Sequence, residues 1–124
     1  MEELERMRQV LAEKAMGWTL DDTWFGYYRD SMGDTIGTPH NGSLTRDDWH
    51  PDTDWSQCGL VMDAMREQDW CWDGSATGEG TVWFSWWRVV DEEAEEAESY
   101  SGVGDTFTEA VCYVAYLALE ATDG

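Results

Sequence analysis

TVWFSWWRVV, residues 81–90, is the most strand-like run in this chain. It is rich in β-branched and aromatic residues and holds neither glycine nor proline, a composition that suits a packed, pleated surface. Side chains alternate along a strand. Val82, Phe84, Trp86 and Arg88 therefore share one face, and Trp83, Ser85, Trp87 and Val89 the other. Both faces are mostly apolar, so the expectation is a strand covered on both sides.

The flanking segments supply partners for it. GSATGEG (74–80) reads as a turn, and DWCWD (69–73) as the preceding strand, with Trp70 and Trp72 on one face and Cys71 on the other. Further upstream, Asp54 followed three residues later by Gln57 has the form of a capping box. Cys58, Val61, Met62 and Met65 then make the apolar stripe of a helix. Downstream, DEEAEEAE (91–98) reads as a solvated face or loop, and YSGVGD (100–105) breaks any helix. Thr106 with Glu109 forms a second capping box, opening a helix with a stripe of Phe107, Ala110, Val111, Val114, Leu117 and Ala118. Tyr113 and Tyr116 point to another face of it.

The N-terminal part begins with a helix over 2–16, whose apolar face is Leu4, Met7, Leu11 and Ala15. Gly17 suits the left-handed position just past a helix end, and Trp18 can fold back on that end. Residues 19–50 are aromatic at TWFGYYRD (23–30) and turn-like after it, which implies one or two short strands or a long ordered loop. The fold class expected is a single α/β (α+β) domain over 1–124, a small antiparallel sheet sandwiched by helices.

Charge sets the limits on partners. With 27 acidic residues against 7 basic ones the formal charge is −20, and Lys14 is the sole lysine. Such a chain repels nucleic-acid backbones, so direct nucleic-acid binding is not expected. Three readings of the acidity compete: adaptation to a salty cytoplasm, mimicry of a nucleic acid toward basic proteins, and plain solubility. No apolar run is long enough to span a membrane, and MEELERMRQV (1–10) is not a signal peptide. Cys58, Cys71 and Cys112 lack zinc or disulfide spacing and read as thiols in a reducing compartment.

Catalytic signatures are missing from the sequence: there is no GxSxG, no Cys/His motif and no P-loop. His50-Pro51-Asp52-Thr53-Asp54 could offer oxygen ligands to a hard cation, but it reads better as a helix N-terminus whose side chains satisfy free N–H groups. His40 is a lone loop histidine. No enzyme activity, cofactor or metal is expected.

The AEKAMGW stretch (12–18) resembles the N-terminal signature of the phage ABA sandwich domain family. Pro51-Asp52-Thr53-Asp54 is similar to that family's approach to its middle helix, and Phe107-Thr108-Glu109-Ala110-Val111-Cys112 to its closing helix. The chain departs from the pattern in a tryptophan-rich insertion at 21–49 and in its acidity. The resemblance implies helices packed on a sheet, a viral or prophage origin and action in the host cytoplasm. It implies no particular chemistry.

Aromatic and arginine residues supply the candidate ligand-binding set: Trp24, Tyr27, Tyr28 and Arg29 in one segment, Trp86 and Arg88 on the best strand. Stacking on a base together with a guanidinium on phosphate is how a small pocket holds a nucleotide. The competing reading makes the tryptophans core or interface and the arginines neutralisers of nearby acids. The expected function is therefore a non-enzymatic phage or archaeal-virus accessory protein that sequesters a host nucleotide signal, as a homo-oligomer. The alternative is an acidic inhibitor or nucleic-acid mimic that blocks a basic host protein surface.

Overall fold

In chain order the elements are α1 (Glu2–Val10), a π turn (Leu11–Ala15), β1 (Thr19–Asp21), β2 (Tyr27–Arg29), α2 (Trp55–Glu67), β3 (Cys71–Ala76), β4 (Val82–Asp91), β5 (Glu96–Gly104) and α3 (Phe107–Thr122). The computed structural model describes residues 2–21, 26–30, 32–36, 44–45, 48–91, 93 and 95–122. The architecture is mixed α+β, with two small antiparallel sheets, β1-β2 and β3-β4-β5.

The run at 81–90 lies at the centre of the larger sheet. Trp86 stands opposite Trp72 on β3 and Tyr100 on β5, and Phe84 opposite Gly74 and Gly102. This face carries the core. Phe84 and Trp86 are fully buried, and the Trp86 indole N–H donates to the Val111 carbonyl of α3 at 3.2 Å.

The other face departs from expectation. Trp83, Trp87 and Val89 are 36%, 39% and 50% exposed, so helices cover one side of the sheet and leave the second open. Apolar side chains on both faces of a strand do not by themselves specify what covers each face, or whether anything does.

β5 is the element that the sequence reading passed over. Its residues EAESYSGVG look like the end of a charge run followed by a helix breaker. Here the glycines serve packing instead. A Cβ at Gly104 would lie 2.7 Å from the Ala110 nitrogen, and one at Gly102 would lie 3.2 Å from the Tyr113 ring. Glycine is what lets α3 rest directly on the strand backbone.

α3 is covered on nearly every side. Ala110, Val111 and Val114 are fully buried, and so are Cys112, Ala115 and Ala118. The Thr106 hydroxyl accepts from the Glu109 N–H at 3.2 Å, the expected cap. α2 is capped by Asp54, whose carboxylate accepts from the Gln57 N–H at 3.0 Å. The box is not reciprocal. The Gln57 amide reaches back to the Asp48 carbonyl and the His50 N–H, while the Asp54 N–H donates to the His50 carbonyl.

One buried ion pair ties the helices together. Arg8 of α1 donates from Nε and Nη2 to both carboxylate oxygens of Asp52, at 2.8 and 3.1 Å. Asp52 is 5% exposed, and its carbonyl accepts from the Thr108 hydroxyl of α3 at 2.7 Å. The helix expected over 2–16 continues as far as Met16 in a wider turn, with the Met16 N–H bonded to the Leu11 carbonyl. Gly17 follows at φ +74°, as its position demanded. Trp18 then meets Trp49 edge-on at 4.8 Å between ring centroids, and Tyr28 of β2 at 5.9 Å.

Two outcomes follow from these contacts. Gly104→Ala should lower stability by about 2–3 kcal/mol, as overpacking does, while Gly59→Ala, where an added Cβ meets nothing within 4 Å inside α2, should raise it by about 0.5–1 kcal/mol. Urea titration of both variants checks the pair of signs. Asp52→Leu strands the partly buried Arg8 charge and should cost about 3 kcal/mol. Arg8→Met/Asp52→Leu should cost clearly less than Asp52→Leu alone; equal losses would mean that the two groups do not depend on each other.

Candidate functional site

The aromatic and arginine candidates occupy different parts of the fold. Tyr28 and Trp86 are wholly buried, so neither ring face is open to a ligand. Tyr28 is packed beside Trp18, and Trp86 is bonded to α3. Trp24 lies outside the described residues.

Tyr27 and Arg29 form a closed local unit. The Arg29 guanidinium sits 5.0 Å from the Tyr27 ring centroid and donates to the Asp21 carboxylate at 3.0 Å, the Gly33 carbonyl at 2.8 Å and the Tyr27 hydroxyl at 2.6 Å. These bonds, that to Asp21 foremost, hold its pKa above the ordinary value.

Arg88 is similarly engaged. It is paired with Glu98, its direct cross-strand neighbour on β5, and its guanidinium lies 4.5 Å from the Trp70 ring centroid. The Tyr100 hydroxyl donates to the same Glu98 at 3.4 Å. Beneath this group the Trp70 indole nitrogen is buried without a hydrogen-bond partner among the described residues. Arg29 and Arg88 thus lie in separate sheets, each held by its own carboxylate.

The residues at 50–54 are occupied in the same way. His50 Nδ1 is 3.0 Å from the Thr53 hydroxyl, Asp52 holds Arg8, and Asp54 caps α2. Among the described residues no group of three His, Cys, Asp or Glu side chains gathers around a metal-sized space, and no helix is long and apolar enough to cross a membrane.

The open face of the larger sheet is the more distinctive surface. Cross-strand neighbours share a face, so Trp83, Ser85, Trp87 and Val89 stand with Cys71, Asp73 and Ser75 of β3 and with Ala97, Ser99, Ser101 and Val103 of β5. Asp73 is the one carboxylate in that set, on a chain with 27 acidic residues. Trp83 and Trp87 lie about 13 Å apart along the strand. Ser85, between them, is only 8% exposed. Val103 at 52% exposure extends the patch to the sheet edge. Aromatic enrichment with loss of charge is the composition of the centre of a protein interface.

Sequence reasoning placed Trp83 and Trp87 on one face but treated that face as covered. The usable signal was the alternation Trp-Ser-Trp, with small polar residues at the cross-strand positions.

Beside this patch, a groove of about 470 Å³ runs between α1, α3 and the end of β5. It is lined by Leu4, Met7, Val103, Gly104, Glu109, Tyr113 and Tyr116. The two tyrosines account for the second face of α3 noted in the sequence.

The thiols divide into one exposed and two buried. Cys58 and Cys112 share a hydrogen bond between α2 and α3, which pushes the Cys112 thiol well above its ordinary value, aided by burial. The same bond lowers that of Cys58. Iodoacetamide at mildly alkaline pH should therefore label the native protein at Cys71 alone, and all three cysteines only after unfolding; intact-mass spectrometry counts the adducts. No protein family, curated protein or solved structure matches this chain.

Proposed function

We propose that this chain is a non-enzymatic binding protein that docks on a basic, partly apolar surface of another protein. The observation that carries the reading is the open sheet face: Trp83, Trp87, Val89 and Val103 are exposed there, with Asp73 the one carboxylate among the described residues paired from Cys71 to Ser75, Trp83 to Val89 and Ala97 to Val103 on that face, on a molecule of charge −20. An apolar face on so acidic a molecule suits a partner with an apolar centre and a basic surface. The surrounding charge speeds encounter and the centre sets lifetime. The resemblance to the phage ABA sandwich family supports a viral setting. There, the partner would be a host protein in the host cytoplasm, and docking would block the basic surface that the partner uses for nucleic acid.

The nucleotide-sequestering reading has less behind it. It needs arginines converging on an open aromatic ring. Within one chain, Arg29 and Arg88 are each paired with a carboxylate, and Tyr28 and Trp86 are buried.

The test compares wild type with Trp83→Ser/Trp87→Ser as immobilised baits in bacterial lysate, with washes at low and at roughly 0.5 M salt, where the Debye length falls to about 4–5 Å. A basic protein kept by wild type through the salt wash and lost from the variant is the expected result. Equal retention on both baits, or release of everything by salt, would overturn the reading. So would a thermal-shift response to a cyclic nucleotide: a ligand at ~100 times its Kd adds about 2.7 kcal/mol, a shift of several degrees, and that result would favour sequestration instead.

A further inference from the structure

We infer that the open edge of β5 is a strand-addition site for an extended, basic segment of the partner, with alternate side chains of that segment entering the groove beside α3. The inference rests on the binding reading above and specifies where and how the partner is held.

β5 is a sheet edge: its backbone pairs with β4 on one side, and among the described residues no other backbone hydrogen bond reaches it. It is nine residues long. Proteins usually blunt such edges with lysine, proline, a bulge or a covering element. β5 contains neither lysine nor proline, its two charged residues, Glu96 and Glu98, stand at its N-terminal end, and the irregularity in its pairing lies at that same end, between Val89 and Asp91. From Ser99 to Gly104 the edge is therefore a regular, uncharged row of backbone donors and acceptors with no covering strand among the described residues.

The second observation is the groove at this edge. An added strand places alternate side chains on the two faces of the sheet. On one face they would extend the patch at Val103 and Trp83. On the other they would meet Leu4, Met7, Tyr113 and Tyr116, an apolar wall that is presently open. Backbone pairing gives the affinity in this mode, and the alternating pockets give the selectivity.

Charge selects the occupant. Glu109 lies in the groove, and Glu5 and Asp105 are exposed close to it in the chain. The nearby cations are committed: Arg6 to Glu120 at 2.7 Å, and Arg8 to Asp52. A segment that alternates apolar residues with lysine or arginine satisfies both the wall and the carboxylates. A second copy of β5 would bring Glu96 and Glu98 and a second charge of −20 to the same place.

The experiment uses the unaltered protein, so nothing depends on a variant folding. The probe is a short capped peptide of alternating lysine and valine. Its control has the same sequence with alternate backbone nitrogens methylated, which removes strand donors while keeping charge and side chains. Titration calorimetry should show the methylated peptide binding roughly tenfold or more weakly, the loss of a few net hydrogen bonds. Hydrogen exchange should slow at amides within 97–104 when the unmethylated peptide is bound. Equal affinity for both peptides, or slowed exchange confined to β3 and β4, would overturn the edge site while leaving docking on the open face intact. Failure of both peptides to bind would overturn it too, and the bait comparison then decides separately whether any partner is held. Protection of 97–104 that rises with protein concentration in the absence of peptide, with a dimer in sedimentation, would assign the edge to a second copy and overturn the proposal.

Discussion

Helix α3 has to lie against bare backbone, and the rest of the molecule is arranged around that requirement. At Gly102 and Gly104 the strand offers no side chain, and α3 sits so near that an added Cβ would meet Tyr113 ring or Ala110 backbone atoms at 2.7–3.2 Å. It is then hemmed in by the sheet on one flank and by α1 and α2 on the other. This explains why it consists so largely of alanine, valine and cysteine where it is buried. It also explains the ion pair at Asp52, because the loop before α2 must reach both α1 and α3 to close the helical layer.

The legible parts of the fold were those whose signal is local. Capping residues at Asp54 and Thr106 and the apolar periodicity of α2 and α3 are decided within a turn or two of chain. Gly17 is another such case, since a left-handed residue is a purely local need. β5 was illegible because its decisive property is what touches it. Gly102 and Gly104 read as breakers in isolation, and only the position of α3 makes them necessary.

The candidate site was harder to read for a related reason. Tyr27, Tyr28 and Arg29 are consecutive, yet consecutive strand residues face opposite ways. Tyr28 goes to the core while Tyr27 and Arg29 remain together outside. The partner of Arg88 is Glu98, ten positions later in the chain, and that pair follows only from the β4–β5 register. Grouping residues by sequence proximity therefore assembled a set that the pleat takes apart. The exposed tryptophans were visible in the alternation of β4, but exposure is a property of what is packed opposite.

The π turn at Leu11–Ala15 sets the phase of everything that precedes the first sheet. A π turn holds one residue more than the α-helical path would, and each residue rotates a helix by about 100°. Winding the same residues as an ordinary α-helix would turn Trp18 through most of that angle. Its ring would leave Trp49, whose indole N–H is bonded to the Arg8 carbonyl one turn earlier. The wide turn thus absorbs the extra residue without that rotation, and the small β1–β2 sheet takes its bearing from it.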